Sequence, residues 1–143
     1  MRFMVLVKAS EESEAGVLPS KELISAMGDY NEELVKAGVL LAAEGLQASS
    51  KGARVVWSGG RRTVVDGPFT EAKELVAGFW LLQVKSKDEA VEWAQRIPFG
   101  DGAEVEVRQV FEASDFPGDI VPSKEAAREE SLREELRNRA ANP

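Results

Sequence analysis

Residues 66–74, Asp-Gly-Pro-Phe-Thr-Glu-Ala-Lys-Glu, gather more reactive chemistry into nine positions than any other stretch of the chain. Asp66 and Glu71 are the candidate catalytic pair, because a positioned carboxylate can exchange a proton with a substrate. Phe69 would desolvate a neighbouring Asp66, and Lys73 would lower the pKa of an adjacent carboxylate. Phe69, Lys73 and Glu74 are therefore candidate ligand contacts, on a connecting segment of the kind that concentrates binding residues. Three further candidates lie outside it. Glu44 interrupts Leu40-Leu41-Ala42-Ala43, where an unpartnered charge is not easily buried, so an edge or cavity-facing position is expected. Tyr30 offers a phenol that could line the same space, and Trp80 an aromatic face.

Each candidate also has a plainer structural reading. Asp66 could cap the Gly67-Pro68 turn by accepting from nearby backbone donors. Residues 71–74 could be a solvated charge cluster, and Tyr30 a half-buried core residue. Phe79 and Trp80 should point to opposite faces of a strand, one into the core and one into a subunit interface, with ligand stacking a third option. Asp66 and Glu71 without a fixed loop motif are thin support for a divalent ion; neither a metal nor another cofactor is expected.

Composition removes whole classes of chemistry. The chain has no histidine and no cysteine. That excludes a His general base, a Ser-His triad, thiolate nucleophiles, disulfides and zinc held by Cys or His. Net charge is −7, from 25 acidic and 18 basic residues over 143 positions, and no basic stripe appears, so nucleic acid is not an expected partner. The N-terminal apolar run is too short for a signal peptide, and no run reaches membrane-spanning length. A cytoplasmic domain, without membrane contact, is expected.

The elements that position the candidates follow from periodicity and punctuation. Phe3–Val7 reads as a strand and Ala9–Gly16 as a loop. Ser20 caps a helix whose apolar positions Leu23, Ile24, Met27, Tyr30, Leu34 and Val35 recur at helical spacing, stopped by Gly38. Strands are expected at Val39–Leu46, Arg54–Trp57 and Arg62–Val65, the last two joined by Ser58-Gly59-Gly60. The unbroken apolar run Leu75–Val84 reads as a central strand covered on both faces. Ser86 with Glu89 opens a second helix, and Val105, Val107 and Val110 mark a final strand.

Without the hairpin at 53–65 the order is βαββαβ, an α+β ferredoxin-like topology. Two helices would cover one sheet face, and a second copy of the sheet is the simplest cover for the other, hence an expected homodimer. Ser123–Asn138, rich in Glu, Arg and Ala, is expected to be a helical arm or tail. The expected division is residues 1–116 as the domain and 117–143 as the tail.

Asp66-Gly67-Pro68-Phe69-Thr70-Glu71-Ala72-Lys73-Glu74 closely resembles the signature of DGPF-domain proteins, a branch of the YCII-related superfamily. Phe3–Lys8, Tyr30–Leu34, Gly45-Leu46, Gly78-Phe79-Trp80 and Glu106–Val110 are similar to the same family, so the resemblance covers about residues 1–116. It implies a ferredoxin-like fold and a dimeric α/β sandwich or barrel. It also implies, for some relatives, His–Asp chemistry in a cleft; Asp66 resembles the Asp, but no residue here can be the His. The resemblance further implies a regulatory setting near extracytoplasmic-function sigma factors.

Three functional readings remain. The first is a small-molecule-binding or regulatory dimer with a polar cleft built from residues 66–74, Glu44 and Tyr30. The second is an enzyme using Asp66 and Glu71 for acid–base chemistry. The third is a non-enzymatic protein-interaction module.

Overall fold

Residues 2–8 are apolar and partly β-branched between two basic ends, a composition suited to a pleated, half-buried surface, and they form strand β1 (Arg2–Lys8). The computed structural model describes residues 1–118, 120 and 122–142, which divide into two units, residues 1–110 and 111–143. In the first, β1 is followed by helices α1 (Glu11–Glu14) and α2 (Lys21–Lys36), then strand β2 (Leu40–Gly45). Strands β3 (Ala53–Ser58) and β4 (Arg61–Asp66) come next, then β5 (Val76–Gln83), helix α3 (Lys87–Gln95) and β6 (Val105–Gln109).

Strand β5 pairs antiparallel with β2 and β1, and β1 pairs antiparallel with β6, giving the order β2-β5-β1-β6. Strands β3 and β4 form a separate two-stranded sheet. With that hairpin set aside, the order is that of a ferredoxin-like βαββαβ unit. The α+β expectation and the inserted hairpin both match this architecture.

The core lies between the four-stranded sheet and its two longer helices. Phe3 and Val5 of β1 and Trp80 and Leu82 of β5 meet Tyr30 and Leu34 of α2 and Ala90 of α3. The Ser20 hydroxyl caps α2 by accepting from the Leu23 N–H at 3.1 Å. Alternation along β5 sends Gly78, Trp80 and Leu82 inward and leaves Ala77, Phe79 and Leu81 half-buried on the opposite face. The expected cover on both faces is therefore present on one only within this unit.

The second face has a defined composition. Register places Met4 and Ala42 beside Leu81, and Leu6 and Glu44 beside Phe79. None of these joins the core cluster. Along the β6 side, Glu106 bonds to Arg108 at 3.2 Å and to Lys8 at 3.5 Å. The Arg108 hydrogen bond, and then the Lys8 charge, hold the Glu106 carboxyl below its ordinary pKa.

Segment 9–16, expected as a loop, contains α1 instead. Ser10 and Ser13 cap it reciprocally: each hydroxyl accepts from the other residue's N–H, at 3.1 and 2.8 Å. Two serines three apart supply that pairing without the Glu of a capping box, which is why the acidic composition hid it. In the second unit, helix α4 (Ser123–Ala141) runs three residues beyond its expected end. It carries i,i+4 ion pairs at Glu129–Arg133 and Glu135–Arg139, and Leu132 and Leu136 are exposed.

Candidate functional site

Segment 66–74 is held by a residue the sequence did not single out, Ser49, in the short 3-10 turn Ser49–Lys51. The Ser49 N–H donates to the Glu14 carboxylate at 2.8 Å, and its hydroxyl donates to the other carboxylate oxygen. The same Oγ accepts from the Phe69 N–H at 3.0 Å. Two positions earlier, the Gly67 N–H donates to the Gly52 carbonyl at 3.0 Å. Gly67 lies so close that a β-carbon would overlap the Ser49 carbonyl oxygen and stand 2.6 Å from its carbon. The Gly67–Pro68 peptide bond is cis. Arg54, reaching from β3, lays its guanidinium over the Phe69 ring at 3.7 Å, in cation–π geometry.

Glu14 thus supports the motif through Ser49. Its pKa lies below the ordinary 4.5, because the Ser49 hydroxyl and then the Ser49 N–H bond its charged form. A lowered folded-state pKa gives a stabilisation that is complete above 4.5 and lost as pH falls through the lower value. The Ser49 and Phe69 amide NMR signals should therefore shift together with a midpoint below 4.5. Glu14→Gln should remove that transition; its persistence in the variant would show that Glu14 is not the clasp.

Asp66 ends β4, opposite Ala53, with its side chain exposed. The turn-capping reading of Asp66 is corrected by its surroundings. The amide two positions on belongs to Pro68, which has no N–H, and the Gly67 N–H is already donated to Gly52. Among the described residues no hydrogen bond reaches the Asp66 carboxylate. Glu71 precedes the 3-10 turn Ala72–Glu74, and its carbonyl accepts from the Glu74 N–H at 2.9 Å. Glu71, Lys73 and Glu74 are exposed, and Phe69 is half-buried. The structure therefore keeps Asp66, Phe69 and residues 71–74 on one anchored segment.

The other candidates lie elsewhere. Glu44 is exposed on strand β2, at the sheet edge, beside Phe79 on the face away from the helices. Tyr30 and Trp80 are core residues, 5% and 7% exposed. The Tyr30 hydroxyl donates to the Trp93 carbonyl at 2.7 Å, and its ring meets Trp80 edge-on at 5.7 Å. Trp80 Nε1–H donates to Asn31 Oδ1 at 2.8 Å. Hollows of about 190 Å³, beside Ile97, Phe99 and Val105, and about 430 Å³, at the β3–β4 turn, are lined by no residue of 66–74. Among the described residues no group of three or more acids is gathered to hold a metal ion.

Burial pushes the Tyr30 phenol up to about 12 from 10.0. The folded chain then holds this proton more tightly than the unfolded one, so the stabilisation is whole below pH 10 and lost as pH rises toward 12. Tyr30 is the single tyrosine, so phenolate absorbance reports it alone. We expect ionisation near pH 12 in the folded protein. A midpoint near 10 before unfolding would place the ring in water.

Ser49 and Arg54 were missed by sequence reading. Neither residue type is unusual where it stands, and what links them to the motif is proximity across a hairpin, which no local spacing encodes.

With the fold and this geometry in hand, the class is an antiparallel α+β domain of ferredoxin-like topology. Residues 1–114 match the YCII-related domain, and the chain belongs to that family. An uncharacterised protein of Rhizobium meliloti (strain 1021) is 39% identical over 61 residues, 43% of this chain. The match spans about half of that relative's length, 49%. Among solved structures, the chain is similar to a 5-chloro-2-hydroxyhydroquinone dehydrochlorinase from Burkholderia phenoliruptrix AC1100 in complex with 2,5-dihydroxybenzoquinone. That overlap has a TM-score of 0.40 at 15% identity, over 82% of this chain and 100% of that one, too loose to bear on activity.

Proposed function

We propose that this chain acts as a cytoplasmic homodimer that binds a small molecule beside residues 66–74. The observation that carries the reading is the contrast between an anchored backbone and an uncommitted carboxylate. Four partners fix the segment: Gly52, Ser49 with its clasp Glu14, and Arg54 over Phe69. Asp66 meanwhile stands free of hydrogen bonds among the described residues. A rigid backbone presenting an unsatisfied acceptor is suited to a ligand that donates hydrogen bonds, because little ordering is left to oppose binding.

The dimeric reading is supported by the second sheet face, where Met4, Leu6, Phe79 and Leu81 form an apolar centre between Glu44 and the Lys8–Glu106–Arg108 cluster. Packing two such faces would bury those side chains.

Native mass spectrometry of protein purified from cells tests the reading. A small molecule retained by wild type should be held about tenfold more weakly, or about 1.4 kcal/mol, by Asp66→Asn. No retained molecule, together with no thermal shift across a panel of small hydrogen-bond donors, would sink the binding proposal.

A further inference from the structure

All six residues of β3 and all six of β4 are exposed. Yet the hairpin carries Val55, Val56, Trp57, Val64 and Val65, with Trp57 68% accessible. Register places Val55 opposite Val64 and Trp57 opposite Arg62 on one face, and Val56 opposite Thr63 and Arg54 opposite Val65 on the other. Directly opposed residues share a face, so both faces have apolar centres. Both outer edges are unpaired in this two-stranded sheet. A lone ribbon of two strands is at best marginally stable in water, and open edges attract a partner strand.

Its two ends are nevertheless well built. The tip is the Gly59-Gly60 turn, with φ of 57° and 76°, the left-handed pair that a tight hairpin turn needs. The root is fixed by the Gly67–Gly52 and Phe69–Ser49 hydrogen bonds and by Arg54 over Phe69. Charge then selects the partner. The hairpin Ala53–Asp66 holds three cations, Arg54, Arg61 and Arg62, and one acid, Asp66 at its root. Its balance is therefore +2, and against the −7 of the whole chain the rest carries −9. A second copy offers this basic ribbon an acidic surface, whereas the phosphates of a nucleic acid would face that same excess of negative charge.

We propose that the β3–β4 hairpin is an arm that docks on a second copy of this chain, so that each copy clasps the other. This rests on the dimeric reading above and adds a contact separate from the sheet face. It also brings a partner surface next to the root from which Asp66 and Phe69 emerge.

The test uses the full chain. A benzophenone side chain installed in place of Trp57 should give a covalent dimer on irradiation, with the cross-linked peptide mapping to a second copy. Trp57→Ser combined with Val64→Thr, both away from the motif, should raise the dimer dissociation constant at least about tenfold by sedimentation, with unchanged far-UV circular dichroism. An unchanged dissociation constant, or no cross-link between copies, overturns the arm. If Phe79→Arg still abolishes the dimer in that case, the sheet-to-sheet reading stands without it. Wild-type protein that stays monomeric at every concentration overturns both.

Discussion

Replacing Trp80 by alanine is expected to destabilise the protein by about 4 kcal/mol, the middle of the range for truncating a buried aromatic. The side chain is 7% exposed and sits on the helix-facing side of β5. It makes edge contacts with Tyr30 at 5.7 Å and Phe99 at 6.3 Å. Three losses combine in the variant. The cavity cannot fully collapse, because Phe3, Leu34 and Leu82 around it are already closely packed. Two aromatic contacts disappear, and Asn31 Oδ1 loses its indole donor. Trp80→Phe separates these terms: it restores most of the volume but not the donor, so it should recover more than half of the loss. Denaturant titration measures both. A cost below about 1 kcal/mol for alanine would mean that Trp80 is not a packing residue, and its candidacy as a ligand contact would revive.

That dual candidacy shows what the sequence could and could not say. Phe79-Trp80 within an apolar run dictated a strand, and alternation dictated opposite faces; the structure has both. Ser20, Gly38 and Ser86 marked helix ends from local chemistry alone, and they hold because a cap is an interaction within one turn. Even the strand order was legible, since few topologies connect β-α-β-β-α-β without crossing. The candidate site was only half legible. Asp66, Phe69 and the acids at 71–74 announce themselves by composition, but the residues that fix them do not. Ser49 lies 20 positions from Phe69 and 35 from Glu14, and nothing about a serine in a polar turn signals such a clasp. Tyr30 failed in the opposite sense. Its type suggested chemistry, while its place on the apolar stripe of α2 assigned it to the core. Where the two signals conflicted, periodicity was the better guide, because burying apolar area outweighs a single hydroxyl's need for water once a carbonyl accepts from it.

Gly67→Ala is expected to cost about 3 kcal/mol, the upper end for forcing extra volume into a closed contact. The new β-carbon would collide with the backbone of Ser49, at its carbonyl oxygen and carbon. Backbone cannot swing aside as a side-chain tip can, so one of the two segments must move. Either movement pulls the Gly67 N–H from the Gly52 carbonyl and the Phe69 N–H from the Ser49 hydroxyl, each bond worth about 1 kcal/mol. Displacing Ser49 also disturbs its two bonds to Glu14. Gly60→Ala is the comparison that isolates the mechanism. Gly60 has open space around its missing side chain and φ of 76°, so alanine there meets only conformational strain of about 1–2 kcal/mol. If crowding against Ser49 is what Gly67 avoids, its variant should lose more stability than Gly60→Ala and should also lose amide protection at Phe69. The Gly60 variant should keep that protection. Equal costs with Phe69 protected in both would mean that the close approach to Ser49 is not what Gly67 provides, and that the motif's root is not the rigid platform on which both the ligand site and the arm depend.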